Sequence, residues 1–108
     1  MDELTMLRAV LDSLDTPILF ADAGHTIRYM NRAAVAHYPG GKDLLGRSLL
    51  ECHNPCSQRI ILEVLNDLQA GMEERLISEN EHRRVYMRAV RDPEGRLLGY
   101  YERYEPRK

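Results

Sequence analysis

The sequence predicts an α+β fold in which a five-stranded antiparallel sheet carries its helices on one face. Two stretches repeat apolar residues at the spacing of an amphipathic helix, and five short stretches have the composition of β-strands. Glycine and proline turn sequences separate consecutive strands, which favours antiparallel neighbours. With 108 residues, the chain has the size of a single domain.

The first segment, residues 1–15, is predicted to be an amphipathic helix that precedes the main domain at residues 16–108. Its apolar residues recur every three to four positions and are Leu4, Leu7, Val10, Leu11 and Leu14. This stripe is wider than a domain of this size needs to cover a sheet face, and a surplus apolar stripe usually finds a partner. The segment therefore predicts a linker or dimerisation helix, and with it a homodimer.

A β-hairpin is predicted after this helix. Residues 18–21 are β-branched, apolar and aromatic, and residues 26–30 alternate between polar and apolar side chains. The turn between them, residues 22–25, contains Asp and Gly. We expect His25, at the tip of this turn, to be exposed to solvent.

Three helical segments are predicted between the hairpin and the remaining strands. Asn31 is suited to cap a short helix at 32–36, and a second short piece lies around 43–45. The strongest helix runs over 54–70, where Asn54 suits the N-cap and a proline follows at the first helical position. Its apolar residues share one face, so that this face must cover the sheet.

The C-terminal third is predicted to be strand throughout. Residues 75–78, 84–90 and 97–104 form three strands, and the Asp-Pro-Glu-Gly turn at 92–95 reverses the chain between the last two. In the middle strand, Met87 alternates with polar neighbours and is expected to face the interior.

Residues 51–57 concentrate two thiols and an imidazole beside the start of the long helix. Cys52 and His53 precede the predicted N-cap, and Cys56 falls in the first helical turn. This combination is a plausible soft ligand set for a transition metal. The alternative is that both cysteines are small buried hydrophobic residues and that His53 is a hydrogen-bonded wall residue. Three such ligands are one short of a closed zinc site.

Composition and charge exclude several classes of function. The net charge of −2, with both signs interspersed, offers no basic patch for nucleic acid, and no apolar run is long enough to span a bilayer. The acidic N-terminus lacks the pattern of a signal peptide, so a cytoplasmic location is expected. Neither a phosphate-binding loop nor a nucleophile turn indicates an enzyme.

The order and spacing of several short motifs resemble a PAS domain over nearly the whole chain. The motifs are Pro17-Ile-Leu-Phe-Ala-Asp22 before a Gly turn, Tyr29-Met-Asn-Arg-Ala-Ala34 after it, Leu45-Gly-Arg-Ser48, and the hairpin from Val90 to Tyr100. The 52–57 stretch is similar to the Cys-His-Pro-x-x-Ser motif of PAS modules found beside haemerythrin-like domains. It also resembles the haem-binding PAS domain of RcoM-type, carbon-monoxide-responsive transcription regulators.

This resemblance implies a sensory domain that binds haem b, with His53 as an axial ligand of the iron. In the similar haem domain, the His of a Leu-His-Pro-x-x-Ser motif binds iron, and it falls on His53. The sixth ligand of that family, a methionine, falls near Leu76 or Ile77, neither of which can bind iron, so that the second ligand must differ or be absent. A thiolate of Cys52 or Cys56 could replace the imidazole of His53 when the iron is oxidised.

Two functions are therefore expected. The first is a redox or diatomic-gas sensor that holds haem b in an apolar pocket and passes its signal to an effector domain or partner protein. The predicted haem-contacting residues are Cys52, His53, Cys56, Leu76, Ile77 and Met87, of which His53 and Cys52 would bind the metal. The second is a ligand-free or small-molecule-binding PAS module for dimerisation and interaction.

Overall fold

The computed structural model describes residues 1–107 and contains three α-helices, two short 3₁₀ helices and five strands. The α-helices are α1 (Glu3–Asp12), α2 (Arg32–His37) and α3 (Pro55–Gln69), and the 3₁₀ helices cover Gly41–Leu44 and Leu49–Cys52. The strands are β1 (Leu19–Asp22), β2 (Ile27–Met30), β3 (Glu74–Glu79), β4 (Arg83–Arg91) and β5 (Leu97–Pro106).

The five strands form one antiparallel sheet in the order β2-β1-β5-β4-β3. Every neighbouring pair is antiparallel, so the predicted α+β fold is confirmed. The first strand of the sequence pairs with the last, which places the N-terminal hairpin beside β5. Most predicted element boundaries lie within two residues of the observed ones, whereas the 3₁₀ helix at Leu49–Cys52 was not predicted.

Helix α3 covers the inner face of the sheet, as its apolar face predicts. Ile61, Val64, Leu65 and Leu68 are buried on that helix, and they belong to a core that also includes Met87 and Tyr100 of the sheet. Burying side chains of this kind stabilises a domain by roughly 1.5–3 kcal/mol each. Asn54 caps the helix as predicted, because its side-chain oxygen accepts a hydrogen bond from the Ser57 N–H at 2.8 Å.

Asn31 ties three parts of the chain together from a fully buried position. Its Oδ1 accepts hydrogen bonds from the N–H groups of Ala34 and Ile18, both at 2.9 Å, and so caps α2 and fixes the chain just before β1. Its Nδ2 donates to the carbonyl oxygens of Leu11 at 2.9 Å and Thr16 at 3.1 Å. The end of α1 is therefore attached to the rest of the domain by the Asn31 side chain, together with Asp12, whose Oδ1 accepts a hydrogen bond from Arg32 N–H at 2.8 Å.

Strands β1 and β5 approach each other closely at Gly99. The register pairs Gly99 with Asp22, and a Cβ atom at Gly99 would overlap the carbonyl oxygen of Ala21. Glycine is required here because the backbone of the neighbouring strand occupies the space of a side chain.

The outer face of the sheet, which points away from α3, carries a network of ion pairs that we call the outer ladder. Its members are Glu74, Glu79, Arg84, Arg88, Arg103, Glu105 and Arg107. Glu74 of β3 forms ion pairs with Arg88 of β4 at 2.9 Å and with Arg103 of β5 at 2.8 Å. The ladder thus connects three strands across the surface.

Helix α1 lies on the surface, and none of its residues is buried. Leu4, Leu7 and Val10 expose 62%, 49% and 55% of their surface. The apolar stripe predicted from the sequence is therefore uncovered in the single chain. None of the described helices combines the length and the apolar character needed to cross a membrane.

Candidate functional site

A cavity of about 250 Å³ lies between the sheet and the segments that precede α3; it is partly open to solvent, but we call it the enclosed cavity because it is more enclosed than the cavity beside it. Apolar side chains form most of its wall, namely Leu19, Ile27, Pro39, Leu44 and Leu49. Polar groups enter the wall from Tyr38, Cys52, His53, Tyr100 and Glu102. An apolar pocket with a few convergent polar groups is the usual form of a small-molecule site.

A second cavity of about 250 Å³ adjoins the first, and His53 and Glu102 line both. Its wall includes Ile77 and Val85 of the sheet, Ile60 and Ile61 of α3, and the side chains of Arg83 and Tyr104. His53 and Glu102 therefore stand at the boundary between the two spaces, where either can contact a ligand in each.

The backbone around His53 fixes its ring in position. The residue lies between the 3₁₀ helix Leu49–Cys52 and helix α3, and its Nδ1 is 2.9 Å from the Leu49 carbonyl oxygen. Because a carbonyl can only accept, Nδ1 carries the proton and donates it. Within residues 1–107, Nε2 makes no hydrogen bond, so it is available to a ligand. The Gln58 side chain bonds the carbonyl oxygens of Leu50 and His53, which ties this turn to α3.

The other residues predicted for a haem site lie in different places. Cys52 lines the enclosed cavity beside His53, and Ile77 lines the second cavity. Cys56 is exposed on the first turn of α3, Leu76 is 42% exposed on β3, and Met87 is buried in the core; none of these three lines either cavity. The structure thus places Cys52 and His53 in the wall of one cavity, and His53 and Ile77 in the wall of the adjoining one.

The alternative interpretation of the Cys-His stretch holds only in part. Both cysteines are exposed, so they are not small buried core residues. His53 does make the wall hydrogen bond that this alternative implies. Among the described residues, no group of three or more His, Cys, Asp or Glu side chains is placed to hold a metal ion.

A chain of three hydrogen-bonded side chains runs along the cavity wall. The hydroxyls of Tyr38 and Tyr104 are 2.6 Å apart, and the Tyr104 hydroxyl donates to Oε2 of Glu102 at 2.9 Å. Tyr38 is also 3.3 Å from the same carboxylate oxygen, but it has one proton and the shorter contact takes it. Burial raises the pKa of Tyr38 well above its usual range and that of Tyr104 to about 12, so both remain protonated donors.

His25 is buried, contrary to the expectation of a solvated turn residue. Its Nδ1 lies 2.8 Å from the hydroxyl of Tyr100, a cavity residue, and its carbonyl oxygen accepts a hydrogen bond from Leu49 N–H at 2.7 Å. Its φ of 70° is in the left-handed region, which histidine tolerates better than most residues. Burial lowers the pKa of His25, partly opposed by Asp22, and this favours the neutral ring.

Glu102 and Tyr38 were not predicted from the sequence as site residues. The signal for Glu102 is its position in β5, where alternation places Tyr100, Glu102 and Tyr104 on the same face as the core. A carboxylate on the inner face of a strand is unusual, because burial of an unpaired charge is costly. Tyr38 follows the short helix α2 and carries no comparable signal.

The comparison with known families identifies the fold. A family model described as a PAS domain matches residues 7–105. No curated protein matches the chain.

Several solved structures share this fold. A C-terminal domain from Streptococcus mutans is similar with a TM-score of 0.75 and 20% identity, over 95% of this chain and 84% of that one. The PAS domain of BvgS from Bordetella pertussis is similar with a TM-score of 0.68 and 20% identity, over 100% of this chain and 88% of that one. The Aer2 receptor from Vibrio cholerae, described as a dual PAS-heme oxygen sensor, is similar with a TM-score of 0.58 and 23% identity, over 84% of this chain and 93% of that one.

The chain belongs to the PAS domain family. PAS domains are in general sensory modules of signalling proteins and not catalysts. The family match begins within α1, so the model of the family includes part of this helix.

Proposed function

We propose that this PAS domain is the sensory part of a signalling protein and that it receives its signal as a small molecule in the enclosed cavity. The observation that carries the proposal is the cavity itself, which combines an apolar wall with the polar groups of His53 and Glu102. Its volume of about 250 Å³ lies just below the range of roughly 300–1,000 Å³ for pockets of drug-sized ligands. The ligand is therefore small.

The signal has a short route into the rest of the fold. The Gln58 side chain couples the His53 turn to α3, and Glu102 belongs to the central strand pair of the sheet. A ligand that contacts both residues favours one arrangement of helix and sheet over another, which is how a sensor shifts its population of states.

The test is a titration of the isotopically labelled domain with cyclohexanol, followed by amide NMR. We expect saturable shifts at Leu44, Leu49 and Tyr100, and we expect Leu49→Trp to abolish them by filling the cavity. Leu98→Trp is the matched control, because Leu98 is 44% exposed and does not line the cavity. Shifts of equal size in both variants, or no saturable shift in the wild type, would argue against a ligand cavity.

A second candidate function is haem b sensing of redox state or a diatomic gas. The observation that favours it is the His53 ring, whose Nδ1 donates to a backbone carbonyl while Nε2 is available, as in most histidines that bind a metal. The donor chemistry fits an axial ligand, with the thiol of Cys52 beside it on the cavity wall. Haem is larger than the enclosed cavity alone, so it would also have to occupy the second cavity, which His53 lines as well. Haem would supply an iron centre for a gas or a change of redox state. The Aer2 neighbour is a PAS-heme sensor by its description, which agrees with this candidate.

Titration with haemin separates the candidates. If haem is the ligand, wild type develops a Soret band and His53→Ala does not. His82→Ala is the control and should keep the band, because His82 is exposed and lines neither the enclosed cavity nor the second cavity. In that case Cys52→Ala shifts the ferric spectrum. Equal haemin binding by wild type and His53→Ala would exclude His53 as the axial ligand.

The exposed stripe of α1 supports a homodimer as the working form of the domain. Leu7 and Val10 are half-exposed on one side of this helix, and apolar patches of this kind mark interaction surfaces. We expect Leu7→Glu combined with Val10→Glu to convert a dimer to a monomer in light scattering. Deleting residues 1–14 would test the dimer less specifically, because it also removes Asp12, whose carboxylate accepts a hydrogen bond from Arg32 N–H at 2.8 Å.

The matched control for the dimer is Arg8→Glu on the same exposed helix, which adds a negative charge without removing an apolar side chain. An unchanged mass for the double variant, or a monomeric wild type at all concentrations, would contradict this assembly.

A further inference from the structure

Glu102 differs from the other glutamates of β3 and β5. Glu74, Glu79 and Glu105 all belong to the outer ladder, where each pairs with at least one arginine. Glu102 points to the opposite face, and no arginine or lysine within residues 1–107 forms an ion pair with it. One carboxylate oxygen accepts from the Tyr104 hydroxyl, and the other, Oε1, accepts no hydrogen bond in the described chain.

The charges in the wall of the enclosed cavity itself are unbalanced. Its wall contains the Glu102 carboxylate but neither a lysine nor an arginine. Arg83 lies in the wall of the adjoining cavity that Glu102 also lines, and its guanidinium sits over the Tyr104 ring, 4.9 Å from the ring centroid, without an ion pair to Glu102. The nearby buried imidazole of His25 does not supply the missing charge, because burial lowers its pKa. Glu102 is half-buried, and its Oε1, which accepts no hydrogen bond from the described residues, stays in contact with solvent. A cation that enters the cavity can pair with this oxygen, and such a pair is stronger in these partly apolar surroundings than in water. The cavity therefore selects for positive charge.

The aromatic part of the wall has the same preference. The rings of Tyr38 and Tyr100 line the cavity together with Glu102. The face of an aromatic ring attracts a cation within about 6 Å of its centre, and cages of such rings recognise organic ammonium groups. The remaining wall, formed by residues such as Leu19, Ile27 and Leu44, suits an aliphatic body attached to that charge.

We propose that the enclosed cavity binds a small organic cation, an alkylammonium whose charged nitrogen contacts the Glu102 carboxylate and the rings of Tyr38 and Tyr100. This rests on the proposed function, since it names the chemical class of the small molecule that the cavity takes. Glu102 is then the residue that determines specificity, and its hydrogen bond from Tyr104 holds the carboxylate in place.

The test compares cyclohexylammonium with cyclohexanol, two probes of nearly equal shape that differ in charge. A primary alkylammonium remains protonated at neutral pH, as lysine does. Wild type should bind the ammonium more tightly than the alcohol by roughly 10-fold or more, because both can donate a hydrogen bond to Glu102 but only the ammonium adds the attraction of opposite charges. Glu102→Gln should lose this preference, whereas Glu105→Gln, on the outer face of the same strand, should retain it.

Each outcome separates the two proposals. Retained binding of cyclohexanol by Glu102→Gln shows that the cavity is intact, so that loss of ammonium binding is a loss of recognition. If wild type binds cyclohexanol but not cyclohexylammonium, or if Glu102→Gln binds the ammonium as wild type does, the cationic ligand is refuted and the small-molecule function stands. If wild type binds neither probe, both proposals fail. The comparison of the two probes on wild type needs no variant to fold.

Discussion

Replacing Gly99 by alanine is expected to destabilise the domain by roughly 3 kcal/mol or more, at the upper end of the cost of overpacking. The added Cβ would overlap the carbonyl oxygen of Ala21 and would lie 2.7 Å from the Phe20 ring and 2.8 Å from the Asp22 Cα atom. Two of these three atoms are backbone, so a change of rotamer cannot relieve the overlap. Strand β1 would have to move away from β5, and the urea midpoint followed by circular dichroism should fall accordingly.

Gly24→Ala is the matched control for this prediction. Its Cβ would meet nothing closer than the Asp22 carboxylate oxygen at 3.4 Å, and Gly24 does not have a positive φ. We expect a change of less than about 1 kcal/mol, the usual size for a glycine whose backbone suits alanine. Similar urea midpoints for the two variants would show that the close contact at Gly99 is not what holds β1 against β5.

Asn31→Ala is expected to lower the free energy of unfolding by roughly 3–5 kcal/mol, because it removes four hydrogen bonds from a fully buried position. The variant leaves the N–H groups of Ile18 and Ala34 without this partner, and an unpaired group that stays out of water costs about 1–3 kcal/mol. The Leu11 carbonyl keeps a hydrogen bond from Leu14 N–H, and Thr16 is exposed, so these two carbonyl groups contribute less. The end of α1 should also partly detach, since Leu11 and Thr16 are both held by the same amide and only the hydrogen bond from Arg32 N–H to Asp12 is left there. Hydrogen exchange measured at these positions would show the detachment.

A second N-cap asparagine provides the comparison. Asn54 is exposed and makes one side-chain hydrogen bond, to Ser57 N–H, so Asn54→Ala should cost about 1 kcal/mol. Both variants remove a cap from a helix, and they differ in the buried network around Asn31. If the two losses of stability were equal, capping alone would explain Asn31 and the network would contribute nothing.

The fold could be predicted because its local signals agree with one another. The apolar spacing of α3, the caps at Asn31 and Asn54, and the turn at 92–95 each indicate the element that forms there. These signals act over a few residues and need no knowledge of the rest of the chain. The 3₁₀ helix at Leu49–Cys52 was missed because a single tight turn has no apolar period to detect.

The site could be predicted only in part, because it depends on contacts between distant residues. His53 was identified from its neighbours in sequence, and it does line the cavity. His25 was misjudged because its partner Tyr100 is 75 residues away, and a turn sequence gives no sign of such a contact. Glu102 was passed over for a similar reason, since the hydroxyls of Tyr38 and Tyr104 reach it only in the folded sheet.

Alternate side chains of strand β5 face the cavity on one side of the sheet and the outer ladder on the other, so this strand connects the two surfaces. Tyr100, Glu102 and Tyr104 belong to the cavity side, while Arg103 and Glu105 belong to the outer ladder. The two sides share one backbone, so a free-energy change on either side acts on the same rigid element. If a macromolecule docks on the outer ladder and displaces β5, it changes the affinity of the cavity for its ligand by some factor. By thermodynamic reciprocity, the ligand in the cavity must change the affinity for the docked macromolecule by the same factor. Ligand binding in the cavity and partner binding on the ladder would then report the same conformational equilibrium, and either affinity could be used to measure it.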